Sequence, residues 1–234
     1  MVSSEDESRI VGGMCGNSVE RLLVGFPRWD VLLEKLVLFR QKEGTVKQIL
    51  VSFHWRAGKR LKDESLFVES EYLKGINGFL NSPELKELAD SGVKVVFKPH
   101  AMFMQYRRHF KVPGYISEPE PGKSFQDMLV ESDLLVTDVS SNMFEMAYID
   151  RPSISWFPDA DVVGRTNGDY HLDARRKYGN VFCCSTPREI VDTARRLLFP
   201  EGHPFHVPFE MFKHHDMDNS RRLVEWLLRR RGLV

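Results

Sequence analysis

Three apolar runs in this 234-residue chain end in groups able to handle an anion. "KQILVSF" leads into His54-Trp55-Arg56, and "GVKVVF" into Lys98-Pro99-His100. "DLLV" leads into Thr137-Asp138-Val139-Ser140-Ser141, followed by Asn142 and by Glu145 one helical turn further on. Arg56 and Lys98 supply cations, His100 a proton donor, and Ser140 and Ser141 hydroxyls followed by backbone amides. A phosphate is recognised by that mixture. A helix N-terminus at Asn142 would add unpaired N–H groups and a partial positive charge. Taken alone, the stretch favours Ser141 as an ordinary N-cap with Ser140 in a loop, since serine is a favoured cap. The cations and imidazole on two other strand ends favour the anion reading. His54 fits either a ligand contact or a packed histidine.

The elements that would position these groups alternate. Pro27 stands at a plausible first helical position, with Leu32, Leu33, Leu36 and Phe39 following at helical spacing. Strands are expected at 47–55, 92–100, 133–138, 153–157 and 180–184. Residues 63–90 read mostly as helix, broken near Gly75–Gly78 and restarted at Ser82-Pro83. Residues 101–111 read as helical and Pro113–Pro121 as loop. "SFQDMLVES" is a short helix opened by a Ser-x-x-Asp capping signature. Helices are further expected at 141–150, 187–198 and 218–230, and residues 1–19 as a loose leader. Short apolar strands alternating with helices imply an α/β fold with a parallel sheet, whose ligands sit beyond the carboxyl ends of the strands. The three chemical stretches would then share one rim.

Composition narrows the function classes. Lysine plus arginine equals aspartate plus glutamate at 33 each, so net charge gives no sign of a nucleic-acid partner. Three cysteines, two of them adjacent, make a poor disulfide framework and suggest a reducing compartment. The Cys183-Cys184 pair reads as core. The N-terminus is acidic and polar, unlike a secretory signal. No apolar run approaches the ~20 residues of a membrane span. His203, His206, His214 and His215 lack a completing thiolate or carboxylate, so a metal site is not expected. Neither Gly-x-Gly-x-x-Gly nor a Walker sequence occurs. The C-terminal "SRRLVEWLLRRRGLV" could lie on an anionic membrane, but packing back on the body, with solvated arginines, is the expectation.

The stretch "LLVTDVSSNMFEMAYIDRP" resembles the Thr-Asp-Tyr-Ser-Ser…Phe-Asp…Pro signature of the CDP-glycerol glycerophosphotransferases, which build teichoic acids and related phosphate-linked polymers. Further pieces follow in that family's order. "VGFPRWDVL" resembles its Gly-x-Pro-Arg-Asn-Asp-x-Leu element, "ILVSFHWRAG" its strand ending in Pro-Thr-Trp-Arg, and "VVFKPHA" its Lys-Pro-His-Pro element. "NGDYHLD" with "YGNVF", and "DNSRRLVEWL", resemble its later and closing elements. The likeness spans nearly all of 22–228. It departs at Val139 (tyrosine in the family), Glu145 (aspartate), Ala101 (proline), Asn167 (arginine, with Arg165 near enough to substitute) and Phe53-His54 (Pro-Thr).

The resemblance implies a Rossmann-like parallel sheet flanked by helices, like the C-terminal domain of a GT-B glycosyltransferase. Residues 1–21 would be a leader or the remnant of a preceding domain, and 22–234 a CDP-donor-binding domain. It implies transfer of a polyol phosphate from a CDP-activated donor to a hydroxyl of a polymer acceptor. Ser140 and Ser141 would hold the pyrophosphate beside Asp138, with Arg56, Lys98 and Arg165 for its charge. His100 would be the catalytic proton donor, and Glu145 would accept from a ribose hydroxyl. The resemblance implies no definite cofactor and is compatible with a magnesium ion. The family's acceptor-side half would be a separate partner. The expected location is cytoplasmic, peripheral on the inner face of the membrane. Two other classes stay open: a non-catalytic nucleotide-binding module or half of a split enzyme, and the donor half of a sugar-nucleotide glycosyltransferase.

Overall fold

A computed structural model of the chain describes residues 1–15, 19–41, 46–56, 63–138, 140–159, 180–201, 205–207 and 211–233. These fall into two compact units: Gly44–Val207, and Met1–Glu43 together with Pro208–Val234.

In the second of these, helix α1 (Glu5–Cys15) lies inside the segment expected as loose. Its start is locally determined: Ser4 Oγ accepts from the Glu7 amide, and the Glu7 carboxylate accepts from Ser3 N–H. Val2 is buried and bridges Leu23. Helix α2 (Pro27–Arg40) opens with the expected proline and buries Trp29, Leu32 and Leu36.

In the larger unit the elements follow as β1 (Gln48–Val51), α3 (Glu64–Val68), α4 (Glu71–Leu80), α5 (Pro83–Asp90), β2 (Lys94–Phe97), a 3-10 helix (Ala101–His109), β3 (Ile116–Ser117), α6 (Phe125–Glu131), β4 (Leu134–Thr137), α7 (Asn142–Tyr148), β5 (Ser153–Ser155), β6 (Val181–Cys183) and α8 (Pro187–Leu198). Helix α9 (Asn219–Arg230) belongs to the smaller unit, where it packs on α2. It leaves Val224 and Leu227 exposed.

All six strands run parallel in the order β3-β2-β1-β4-β5-β6. That is the doubly wound order 3-2-1-4-5-6, in which the winding reverses between β1 and β4. Successive residues point to opposite faces. Ile49, Val51, Val95, Phe97, Leu134, Val136 and Ile154 point into one apolar cluster with α4, α5, α8 and the 3-10 helix. The other face, carrying Leu50, Val96 and Leu135, is covered by α6 and α7, which bury Met128, Leu129, Met143 and Met146.

Local signals account for most helix starts. The side chains of Ser70, Ser82, Ser124 and Thr186 each accept a backbone N–H in the first turn, and Ser124 with Asp127 forms the full capping box. The expected break at Gly75–Gly78 is instead at Ser70, and α4 runs through both glycines. Gly75 has a packing reason: a Cβ there would lie 2.7 Å from the Pro158 carbonyl oxygen. Two further expectations change. Ile116–Ser117, inside the expected loop, pairs with β2 as a sixth strand. Cys183, expected in the core, is exposed because β6 is the edge strand.

Candidate functional site

The carboxyl ends of β2, β1 and β4 are neighbours, so the three chemical stretches do share one rim, and the β1–β4 reversal lies between two of them. At that reversal sits a buried charge cluster. Asp138, fully buried just past β4, accepts from the His54 backbone N–H at 2.8 Å and from the Arg56 guanidinium at 2.5 Å. Asp159, beyond β5, takes the other edge of that guanidinium as a bidentate pair at 2.9 and 2.6 Å. A further N–H of Arg56 reaches the His54 carbonyl at 3.2 Å, and the guanidinium lies 4.8 Å from the centre of the Tyr72 ring. The Tyr72 hydroxyl donates to the same carbonyl. The backbone of His54 is thus held at both its N–H and its C=O.

Arg56 was expected as a cation facing the ligand. It holds two carboxylates instead, with its side chain only 10% exposed. Burial lowers its pKa, but the bonds and charges of Asp159 and Asp138 outweigh that and raise it, so it stays charged at any working pH. Burial pushes the Tyr72 phenol well up, which keeps it a neutral donor.

The imidazoles of His54 and His100 meet edge to face, with ring centres 5.5 Å apart, and Trp55 stacks near His100 at 6.4 Å. His100 sits where the 3-10 helix begins, and its Nδ1 accepts the Met102 N–H at 3.2 Å. That bond fixes the neutral tautomer with its proton on Nε2, a hydrogen-bond donor. Burial lowers the His100 pKa, and the charges of His54 and Lys98 lower it further against the pull of Asp138. Burial also lowers His54, Asp138 opposing and Arg56 assisting. Lys98 leans the other way: its ammonium reaches the Pro99 carbonyl, and it lines a cleft of about 200 Å³ with Arg107, Glu118 and Lys123 beside β2.

Ser140 is buried and Ser141 exposed at the start of α7. The expected capping role of Ser141 does not hold. Its backbone is already helical (φ −63°, ψ −14°), whereas a capping side chain works from an extended backbone, and it makes no capping bond. Ser140 Oγ accepts from the Asn142 amide at 3.3 Å. Glu145 is buried in the first turn. Arg165 and the "NGDYHLD" stretch lie outside the described residues, as do Val139 and His203. Among the described residues no three His, Cys, Asp or Glu groups converge as a metal set. Asp138 and Asp159 already hold Arg56, so no step below runs through magnesium.

Two of the motif-bearing elements prove to be structural partners. Asp30, from "VGFPRWDVL", accepts the Asn219 and Ser220 backbone N–H groups at 3.0 and 2.8 Å and the Asn219 side chain at 2.7 Å, capping α9. Arg222, from "DNSRRLVEWL", bonds Asp216, Asn219 and the Val24 carbonyl. Gly25 adopts φ +77°, and a Cβ there would fall 1.9 Å from Asn219 Oδ1, so only glycine fits. The residue that sequence reasoning missed is Asp159: it is 103 positions from Arg56, and only the fold joins them.

Sheet order and rim together define a Rossmann-like domain of the GT-B type. A solved structure of the wall teichoic acid polymerase TagF matches 99% of this chain and 57% of its own, at TM-score 0.61 and 16% identity. A UDP-GlcNAc 2-epimerase from Methanocaldococcus jannaschii matches 88% of this chain and 55% of its own, at TM-score 0.55 and 16% identity. In sequence, the minor teichoic acid biosynthesis protein GgaB of Bacillus subtilis (strain 168) is 31% identical over 166 residues, 66% of this chain and 18% of GgaB. The profile of the family described as CDP-Glycerol:Poly(glycerophosphate) glycerophosphotransferase matches residues 1–228, and the chain belongs to that family. It spans about half the length of the TagF structures it matches and less than a fifth of GgaB.

Proposed function

We propose that the rim binds a CDP-activated polyol and supports transfer of its polyol phosphate to a hydroxyl of a growing surface polymer. The acceptor oxygen attacks the phosphorus bearing the polyol, the bond to the CMP phosphate oxygen breaks, CMP leaves, and the hydroxyl proton passes to a base or to solvent. Catalysis of such a transfer is mainly positioning and charge stabilisation. The family match over residues 1–228 carries this reading. It is supported by the strand-end groups gathered where the winding reverses and by a TagF structure obtained after a soak with CDPG.

In this reading Ser140 and Ser141 hold the pyrophosphate, and His100 Nε2–H donates to a phosphate oxygen or to the departing CMP. Lys98 contributes charge from the neighbouring strand end, and Glu145 takes a ribose hydroxyl. Arg56 acts through others: it orients Asp138 and the His54 backbone. Arg165 is a further candidate cation. The place of action is the cytoplasmic side of the membrane, on its surface; no helix among the described residues is long and apolar enough to cross it.

The likeness to a UDP-sugar enzyme favours one competing reading, a UDP-sugar donor site. Titration calorimetry with CDP-glycerol and with UDP-N-acetylglucosamine separates the two. CDP-glycerol is expected to bind at least about tenfold tighter, a difference of roughly 1.4 kcal/mol. Tighter UDP-sugar binding, or binding of neither, refutes the proposal. CMP release with a glycerophosphate-primed acceptor, diminished in His100→Gln, separates a transferase from a binding module.

A further inference from the structure

We propose that His54 takes up the proton that accompanies binding of the anionic donor, while His100 beside it stays a neutral hydrogen-bond donor. The identity of the anion rests on the nucleotide reading above; the division of labour between the histidines does not.

The two imidazoles stand at the ends of adjacent strands, 5.5 Å between ring centres. One ligand oxygen at ordinary hydrogen-bond distances of about 2.8 Å can touch both. They are not equivalent. A second proton on His100 would have to go to Nδ1, which already accepts the Met102 N–H. Two N–H groups would then face each other, and the 3-10 helix would lose the bond that fastens its first turn. Among the described residues no hydrogen bond occupies either ring nitrogen of His54, so it can charge without breaking anything.

The surrounding charges also single out His54. From β4's end it faces Asp138, and from its own strand end Arg56 and Trp55. His100, on which Lys98 acts, faces it from β2's end, Tyr72 from α4, and Asp159 acts from behind Arg56. Among the described residues Arg56, Asp138 and Asp159 sum to one net negative charge, which favours a proton on His54. In the free protein burial holds both imidazoles below their ordinary range, so His54 has a proton to gain at neutral pH. An incoming anion supplies the missing attraction. The family pattern resembled by this stretch has threonine where this chain has His54, and threonine cannot carry this charge.

The sign follows from linkage. A group whose pKa rises on binding strengthens binding as pH falls, by up to about tenfold per pH unit for one proton, and the gain levels off below the free pKa. The experiment is titration calorimetry of the whole chain with CDP-glycerol from pH 6 to 8.5, in pairs of buffers differing in ionisation enthalpy. Both phosphates of CDP-glycerol are esterified, so the ligand itself does not titrate in this range. The expected result is net proton uptake in the wild type, retained in a weaker-binding His100→Gln and lost in a folded His54→Gln, whose affinity becomes flat with pH. Uptake surviving in His54→Gln, or lost in His100→Gln, overturns the proposal, and CDP-glycerol binding without uptake overturns it while leaving the nucleotide reading intact. Histidine side-chain NMR with sulfate, which carries no titrating proton here, covers the remaining case. His54 charging while His100 stays neutral supports the proposal even where CDP-glycerol does not bind, an outcome that would sink the nucleotide reading alone. Neither imidazole responding overturns it.

Discussion

Replacing Arg56 by methionine tests the buried cluster directly. Arg56→Met keeps an unbranched apolar stem and removes the guanidinium with its five N–H donors. Asp138, with none of its side chain exposed, and Asp159, with 4%, are then left without their cation. Removing one partner of a buried pair costs about 3–5 kcal/mol, chiefly because the remaining charge stays buried. Against a typical total of about 5–15 kcal/mol, that is a large fraction. Asp159→Asn is the informative contrast: it leaves a one-to-one pair of Arg56 with Asp138, so the expected loss is smaller, about 1–2 kcal/mol. Arg56→Lys keeps the charge, but a point cation cannot match a bidentate carboxylate on one edge and a second acid on the other, so it rescues only part. In the double variant the two losses should not add, since both act on one contact. The assay is urea unfolding followed by tryptophan fluorescence, with the slope checked for constancy. Arg56→Met lying within about 0.5 kcal/mol of wild type, the range of an ordinary surface change, would refute the argument. So would Asp159→Asn costing more than Arg56→Met.

Two further outcomes follow from other positions. Burial raises the Asp30 pKa, but hydrogen bonds from Ser220 and Asn219 outweigh it and hold the carboxyl below its ordinary value; its contribution is therefore present above an unfolded pKa of about 3.9 and lost as pH falls through the folded value. Urea midpoints for wild type and Asp30→Asn should differ at pH 7 and converge below pH ~4, and a gap constant with pH would refute the capping role. Ser124→Ala, which breaks a complete capping box, should cost about 1 kcal/mol, whereas Ser141→Ala should leave stability unchanged; equal losses would restore Ser141 as a cap.

What the sequence reveals and what it hides divide along physical lines. Helix starts at Ser70, Ser82, Ser124 and Thr186 depend on bonds closed within four residues, so side-chain type nearly decides them, although Ser70 was overlooked in favour of the glycines that follow. Four strands and the edge strand β6 are apolar runs that periodicity can find. Ile116–Ser117 is too short and too close to prolines to stand out, and the glycines of α1 disguise a helix that Ser4 and Glu7 begin. The rim was legible because each of its three stretches ends its own strand. Its wiring was not. Nothing near Arg56 announces that its guanidinium will be taken by Asp159: sequence offers a cation for a ligand, and the fold surrounds that cation with two acids.

That wiring bears on how an anion site can be built at a strand rim. An arginine aimed into solvent would bind phosphate at the expense of ordering a long side chain on each encounter. Arg56 is ordered in advance, gripped by two acids and stacked on Tyr72, and what it orders in turn is backbone: the His54 carbonyl directly, and the His54 N–H through Asp138. A rim held this way keeps its side chains in place before ligand arrives, the condition under which fixed dipoles and imidazoles act without reorganising. The surplus negative charge, unfavourable to a bare phosphate, becomes useful once it faces a histidine able to charge. The same acid that repels the ligand from a neutral site favours the proton on His54, so the proposed uptake of that proton on binding would offset the repulsion.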